Sequence, residues 1–398
     1  MIGPETQKTS AKGPKYRPQY IADPDSLIVR HGDFENQEVL KNKALLHLRV
    51  AIKGQDNALE AIAQAACLHC NPAEQSGRKY VLAGPSSSGK KYAVAKAASA
   101  LYLPIAIVSC GELDGADSVK TALEEAIASM LMDARAKYVN FRLVYDDLEE
   151  YKNARQALYR RKELQMRHDD LSEDELAHFK EITSCVEDAC IDYAQKQGII
   201  ILDEIDRLAN KKGEQEALAQ QIGKISAKLR DDYSDTDKTV GFNASRNMIV
   251  MTGEFAGIEK TLDKIAGAGI NPLLLANAQV IAFNTLSSQA YFDIMREQIV
   301  WLHGQMNNKE LHPELEACGR IDFAPDCSAF LASIAEKQAI GARGAHKTAG
   351  DFLKAFKAYA QSQPVKSAVA TITPQIIAAS LSTDQSYSHC FNQNGDNG

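Results

Sequence analysis

Apolar residues recur with two different periods along this chain, and their alternation predicts an α/β protein. Short, nearly uninterrupted apolar runs such as Tyr80-Val81-Leu82-Ala83 are typical of strands buried on both faces of a parallel sheet. Between these runs, apolar residues spaced three or four apart indicate helices, as over residues 36–50 and 58–70. Strands that alternate with helices favour one parallel sheet. The predicted strands are residues 80–83, 103–108, 198–202, 247–252 and 280–283.

The pattern changes after Leu286, and this change predicts a second domain. We expect an α/β domain over residues 26–285 and a small helical lid domain over residues 286–382. The polar residues 1–25 and the Asn- and Gly-rich residues 383–398 are expected to form a disordered arm and a disordered tail. The helices predicted in the lid are residues 291–306, 327–337, 344–361 and 374–381.

A charged, helix-rich stretch interrupts the predicted α/β domain at about residues 129–197. Ser172-Glu173-Asp174-Glu175 has the form of a capping box that starts a helix. An earlier helix is indicated by apolar residues at helical spacings, so the stretch predicts an inserted helical hairpin. A basic cluster over residues 155–162 could bind a protein partner, but interspersed acidic residues favour a solvated face. The apolar residues of the earlier helix are Val144, Leu148, Tyr151 and Leu158.

Charge and hydropathy exclude some classes of partner. The 398 residues include 45 basic and 52 acidic side chains, with a net charge of −7 and a pI near 5.8, so no global field favours nucleic acid or an anionic membrane. We expect no signal peptide and no membrane span. Eight scattered cysteines suit a reducing compartment, so we expect a cytoplasmic protein.

Cys67-Leu68-His69-Cys70 contains residue types that bind zinc. The segment lies in an alanine-rich helical run, and no second ligand pair follows it in the sequence. Small core residues are therefore the favoured interpretation.

A glycine-rich loop follows the first predicted strand and precedes a helical stretch. Its glycines and its lysine have P-loop spacing, in which backbone N–H groups and a helix N-terminus surround phosphate oxygens while the lysine adds a full positive charge. The motif therefore predicts a nucleoside triphosphate site. The residues of the loop are Gly84, Pro85, Ser86, Ser87, Ser88, Gly89, Lys90 and Lys91.

Lys91 departs from the P-loop pattern, which has Ser or Thr at this position as a ligand to Mg²⁺. An ammonium group has no acceptor and cannot coordinate a cation. Two interpretations stay open. Either the Lys91 ammonium supplies part of the charge of the metal, or the side chain points to solvent while water completes the metal shell.

Residues 198–206 (Gly-Ile-Ile-Ile-Leu-Asp-Glu-Ile-Asp) form a predicted strand that ends in carboxylates, which is a Walker B pattern. Asp203 is the candidate Mg²⁺ ligand, and Glu204 is the candidate base that orients and deprotonates the attacking water. The alternative is an acidic surface turn. Ligand sites lie at the carboxyl ends of parallel strands, and this favours the nucleotide site.

In this order, the motifs resemble the AAA+ protein unfoldases of the Clp class, particularly the ClpX and HslU types, over about residues 45–382. Residues 52–56 (Ile-Lys-Gly-Gln-Asp) are similar to the adenine-contacting box of that family, and residues 341–344 (Gly-Ala-Arg-Gly) to its sensor-2 motif. Residues 247–257 are similar to its sensor-1 strand and the continuation of that strand, and the insertion lies where HslU-type proteins carry their intermediate domain.

The resemblance implies an AAA+ fold with ATP and Mg²⁺ bound between the α/β domain and the lid. It assigns Gly54 and Gln55 to the adenine, Thr252 or Asn247 to sensing of the γ-phosphate, and Arg343 to the coupling of lid angle with nucleotide state. It further implies a homo-oligomeric ring, usually a hexamer, that remodels protein clients.

Two further departures from the family bear on activity. The arginine finger expected after residues 271–276 is replaced by Asn277, and no arginine occurs in residues 260–288. Residues 110–117, at the pore-loop position, carry no aromatic side chain to push a polypeptide. Three functions stay open: an ATP-hydrolysing remodelling protein, a hydrolysis-deficient scaffold or adaptor that binds a partner through the insertion, and a subunit completed by another AAA+ chain.

Overall fold

The computed structural model describes residues 33–34, 36–71, 77–137, 160, 163–164, 172–230, 237–362, 369–382 and 384–391. In chain order the strands are β1 (Lys79–Ala83), β2 (Ile105–Ser109), β3 (Ile199–Asp203), β4 (Lys224–Arg230), β5 (Asp237–Asn243), β6 (Met248–Gly253), β7 (Ala278–Ala282), β8 (Arg320–Phe323) and β9 (Val369–Ile372). The α-helices are α1 (Gln37–Ala51), α2 (Asp56–Cys70), α3 (Lys90–Ala100), α4 (Ala116–Lys137), α5 (Glu173–Gln197), α6 (Lys212–Gln221), α7 (Leu262–Gly267), α8 (Pro272–Leu275), α9 (Ser288–Asn307), α10 (Cys327–Lys337), α11 (Ala342–Ser362), α12 (Pro374–Leu381) and α13 (Ser388–Phe391).

Five strands form one parallel sheet in the order β2-β3-β6-β1-β7. The predicted α/β class and parallel sheet are confirmed, and each of the five predicted strands lies in this sheet. Leu82 on β1 is in register with Thr252 on β6, and Ser109 on β2 is in register with Asp203 on β3. The carboxyl ends of the strands therefore meet at one edge, where ligand sites form in sheets of this kind.

Each face of the sheet is covered by its own hydrophobic core. Val81 and Ile200 pack with α4 and α5, whereas Leu82 and Ile201 pack with α1, α2 and α3. All four side chains are at most 1% exposed. Because both faces are buried, the strand sequences are apolar at nearly every position. The sheet is thus a rigid base for the loops at its carboxyl edge.

The β4–β5 hairpin is antiparallel and was not predicted from the sequence. Ile225, Ala227, Val240 and Phe242 are buried, while the residues between them on each strand are exposed. Alternation of this kind is typical of a strand with one buried face.

A third hydrophobic core holds the C-terminal residues 286–391, where α9 to α12 pack around the small parallel sheet of β8 and β9. The four predicted lid helices are present as α9, α10, α11 and α12. The prediction of helices alone is corrected by β8 and β9. Each strand has four residues, with Ile321 and Ile372 buried, and such short runs give little periodic signal.

The ends of the predicted insertion at residues 129–197 belong to the α/β layer. Leu131 on α4 and Val186 on α5 are buried in the same core as the strands. The predicted capping box of α5 is confirmed, because the Glu175 N–H donates to Ser172 Oγ at 3.3 Å and the Ser172 N–H donates to Glu175 Oε2 at 3.1 Å. The earlier predicted helix, around residues 144–158, lies outside the described residues.

The predicted disordered tail at residues 383–398 begins too early. Residues 384–391 pack on the C-terminal core, where Tyr387 is fully buried and donates to Asp351 Oδ2 at 2.7 Å. Burial of an aromatic ring and of Cys390 outweighs the polar composition of this stretch. The predicted arm, residues 1–25, lies outside the described residues. Across the described ranges, no helix is both long enough and apolar enough to span a membrane.

Candidate functional site

The P-loop lies at the carboxyl edge of the sheet, between β1 and α3. A Cβ at Gly84 would lie 2.4 Å from the Phe283 carbonyl oxygen, so only glycine fits there. Ser87 and Gly89 have φ values of 56° and 96°, and left-handed residues of this kind are typical of loops whose N–H groups form an anion-binding concavity. Helix α3 begins at Lys90 without a side-chain cap. Its first N–H groups and its positive dipole end are therefore available to an anion.

Lys90 is folded back into its own loop. Its Nζ donates to the carbonyl oxygens of Gly84 and Pro85, both at 2.7 Å. Burial lowers the pKa of Lys90, and the nearby carboxylates of Glu254 and Asp206 oppose that shift. The loop thus holds its lysine through carbonyl dipoles, beside the concavity that the N–H groups form.

Asp203 and Thr252 meet at the ends of the adjacent strands β3 and β6. Thr252 Oγ1 donates to Asp203 Oδ1 at 2.6 Å and accepts from the Glu204 N–H at 3.3 Å. Thr252 is only 1% exposed, so its hydroxyl is held in place by packing. The threonine therefore fixes the orientation of the Asp203 carboxylate.

Lys91 pairs with the other oxygen of the same carboxylate. The distance from Lys91 Nζ to Asp203 Oδ2 is 2.5 Å. The Lys91 side chain is still 44% exposed, but its ammonium group is directed at this carboxylate. Both oxygens of Asp203 are engaged, one by a hydroxyl and one by an ammonium group.

Glu204 occupies a strained backbone position at the mouth of the site. Its φ of 58° is left-handed, a conformation that costs roughly 1–3 kcal/mol for a residue other than glycine. Its carboxylate is exposed and lies 4.0 Å from Arg207 Nε. Behind it, burial raises the pKa of the Cys110 thiol to about 12, and the carboxylate of Asp203 adds to that shift. The thiol stays protonated and is no candidate nucleophile.

The C-terminal domain contacts the P-loop directly. The Ala342 N–H donates to the Ser87 carbonyl at 3.1 Å. Gly341 has a φ of 64°, and a Cβ there would lie 2.8 Å from the same oxygen. Arg343 follows in the first turn of α11 and is exposed toward the cleft.

These segments enclose an open cleft of about 410 Å³. The predicted site residues that line it are Ser86, Ser87, Gly89, Lys90, Lys91, Asp203, Glu204, Thr252 and Arg343. Five further side chains that line it were not predicted: Tyr92, Asp206, Arg207, Glu254 and His346. Three of them could have been inferred from their positions in the sequence. Asp206 and Arg207 follow the Walker B carboxylates, and His346 lies one helical turn after Arg343.

A second cavity of about 210 Å³ adjoins the cleft and shares Gly89, Tyr92, Ala342 and His346 with it. Its apolar wall includes Ile52, Leu286 and Ile294, which could cover a planar base. Ser88 also lines this cavity, and its buried Oγ has no hydrogen-bond partner within the described part of the chain. An unsatisfied buried hydroxyl of this kind is available to a polar ligand atom.

Gly54 and Gln55 lie away from the cleft. The Gln55 side chain is 3% exposed, donates to the Asn284 carbonyl at 2.7 Å and accepts from the Asn284 N–H at 2.9 Å. A Cβ on Gly54 would lie 2.7 Å from the Ala290 Cβ. The two residues join the α/β domain to the start of α9 and line a separate cavity of about 190 Å³, whereas Ile52 lines the cavity beside the cleft.

Asn247 and His69 lie at the end of the sheet opposite to the cleft. Asn247 Nδ2 donates to the Gly198 carbonyl at 3.0 Å, and His69 Nε2 contacts the same oxygen at 3.1 Å. Asn247 therefore lies at the start of β6, whereas Thr252 lies at the end of β6 in the cleft. Of the two candidate γ-phosphate sensors, the structure brings only Thr252 to the cleft.

In the ranges that the structure describes, no group of three or more His, Cys, Asp or Glu side chains could hold a metal ion. A comparison of the chain with protein-family models and with curated proteins finds no match.

Proposed function

We propose that the chain is an ATP-binding protein of the AAA+ type, related in design to the Clp unfoldases. The observation that carries this proposal is the convergence, in one cleft, of the P-loop at Lys90, the β3 carboxylates, Thr252 and Arg343 of the C-terminal domain. These groups are far apart in sequence. Their chemistry is that of triphosphate recognition.

The residues of the cleft fit a nucleoside triphosphate. The concavity at Ser87 and Gly89 and the uncapped start of α3 would hold phosphate oxygens, and Lys90 would add its charge to them. The unsatisfied Ser88 hydroxyl and the apolar cavity beside Ile52 would take the ribose and the base. Arg343 would contact the phosphates from the C-terminal domain.

The residues of the cleft give opposing indications on whether bound ATP is hydrolysed. Glu204 is exposed to the cleft and could act as base on a water molecule. Asn277, in the finger position, carries an amide where a guanidinium is worth about 10³ to 10⁵ in rate. The Lys91–Asp203 ion pair lies where a metal ligand would be expected.

With turnover, the function would be Clp-like remodelling of protein clients. The Lys91–Asp203 pair and Asn277 favour a second candidate, a nucleotide-gated scaffold or adaptor that binds a protein partner through the insertion. A ring completed by another AAA+ chain would supply the missing arginine from that neighbour, whereas a homo-oligomeric ring would not, because each copy carries Asn277.

Calorimetric titration of the full chain with ATP tests the proposal. We expect binding, a loss of affinity of about tenfold or more in Lys90→Ala because a charge close to the phosphates is removed, and no change in the control Lys120→Ala on the exposed face of α4. A folded chain that gives no heat with ATP at millimolar levels contradicts the proposal.

Phosphate release separates the two functional candidates. An ATPase should release phosphate steadily, and Glu204→Gln should reduce that rate. Equal, near-zero rates in the two proteins would exclude ATP hydrolysis by the chain alone. Mixing the chain with a catalytically complete AAA+ partner, with turnover appearing only in the mixture, would support the mixed ring.

A further inference from the structure

The residues around Asp203 do not fit a divalent cation. Mg²⁺ requires octahedral oxygen ligands, and a P-loop contributes one of these from the hydroxyl that Lys91 replaces here. The Asp203 Oδ2 atom, which a metal would approach, accepts a hydrogen bond from the Lys91 ammonium group at 2.5 Å. The Asp203 Oδ1 atom accepts the Thr252 hydroxyl at 2.6 Å.

The Lys91 ammonium lies where the charge of a metal would be needed. It reaches Asp203 from the first turn of α3, the same helix end that faces the phosphate concavity. In a metal-bearing site, the cation shields the phosphates from the Walker B carboxylate. Here a covalently attached cation would perform that shielding, since Asp203 is only 16% exposed in its side chain and pairs with Lys91.

We propose that this site binds its nucleoside triphosphate without a divalent metal, with Lys91 as a built-in substitute for the charge of the ion. The inference rests on the nucleotide site proposed above. It identifies the ligand as a nucleoside triphosphate whose binding does not depend on Mg²⁺, and Lys91 as the residue that removes this dependence.

The experiment compares ATP affinity of the full chain in EDTA and in excess Mg²⁺ for three proteins. In the wild type, we expect the two affinities to agree within about threefold, because the charge that Mg²⁺ adds is already present. Lys91→Thr restores the hydroxyl ligand and frees Asp203, so its affinity in EDTA should fall by about tenfold or more, and Mg²⁺ should restore it. Lys120→Thr, an identical change on the exposed face of α4, should behave as the wild type.

The outcomes separate this inference from the proposal on which it rests. Binding by the wild type only in Mg²⁺ overturns metal independence and leaves the nucleotide site standing. Lack of ATP binding in both conditions overturns the nucleotide site and the inference with it. If Lys91→Thr fails to fold, the wild-type comparison still decides the question, because it requires no variant.

Discussion

At the scale of single residues, His69 makes the stability of the folded chain depend on pH. It is 5% exposed on α2, and burial lowers its pKa to about 4, with the hydrogen bond to the Gly198 carbonyl opposing that shift. The unfolded chain takes up this proton near pH 6.5, whereas the folded chain does not take it up until pH falls to about 4. The folded state therefore favours the neutral form of His69. The contribution of this residue to the free energy of unfolding is fully present above pH 6.5 and is lost as the pH falls toward 4.

We expect the free energy of unfolding to fall by about 3 kcal/mol between pH 6.5 and 4 on account of this residue. Urea unfolding at several pH values measures it. In His69→Gln that part of the pH slope should disappear, while His346→Gln, a change at an exposed histidine, should keep it. Identical slopes in all three proteins would contradict a buried, neutral His69.

Most of the cleft residues could be predicted from contiguous motifs, because a P-loop and a Walker B strand fix their own local geometry. Lys90, Asp203 and Glu204 are placed by the few residues around them. The position of Gln55 outside the cleft could not be predicted in this way. Its amide is satisfied by Asn284, which is 229 positions away, and no local pattern reveals such a pairing. Lys91 was identified as a departure, but its partner could be found only in three dimensions.

At the scale of elements, the turn into α11 is the most constrained contact between the C-terminal domain and the P-loop. Gly341→Ala would place a methyl group 2.8 Å from the Ser87 carbonyl at a φ of 64°. We expect the free energy of unfolding to drop by about 1–3 kcal/mol and ATP affinity to weaken, since the loop must shift.

Gly350→Ala, within the same helix, is the matched control. A Cβ at Gly350 meets no atom within 4 Å, so this change should stabilise the chain by about 0.5–1 kcal/mol through helix propensity. Urea unfolding and calorimetry measure both variants. Stabilisation of similar size in the two would mean that the contact with Ser87 carries no strain.

The elements that the sequence predicted are those with long or continuous apolar patterns. The five parallel strands and the helices α1, α2 and α5 have strong periodic or capped sequences. The β4–β5 hairpin was missed although its period-two pattern is present, because the exposed alternate positions, such as Lys224, Ser226 and Gly241, give it few apolar residues. The pair β8 and β9 was missed because each strand is four residues long and becomes a strand only through pairing across the domain.

At the scale of the whole molecule, the cleft joins two bodies with separate cores, so nucleotide should stabilise them together. Ligand at 100 times its dissociation constant adds about 2.7 kcal/mol to stability. Arg343→Ala should leave the melting temperature without ATP unchanged, because the side chain is exposed, and should reduce the increase that ATP produces.

Thermal unfolding with and without ATP tests this expectation. Arg320→Ala is the control, since Arg320 is an exposed arginine of the same domain that pairs with Asp322 and is not among the residues that line the cleft. The same ATP-induced increase in Arg343→Ala as in the wild type would mean that Arg343 is not part of the proposed nucleotide site.

The hydrogen bond from the Ala342 N–H to the Ser87 carbonyl makes one loop a neighbour both to the proposed nucleotide and to the C-terminal domain. Thermodynamic linkage then works in both directions. A protein that grips the C-terminal domain and holds it at one angle changes ATP affinity by the same factor by which ATP changes the affinity for that protein. Occupancy of the cleft by ATP would therefore depend on whether such a protein is bound, even if the chain does not hydrolyse ATP.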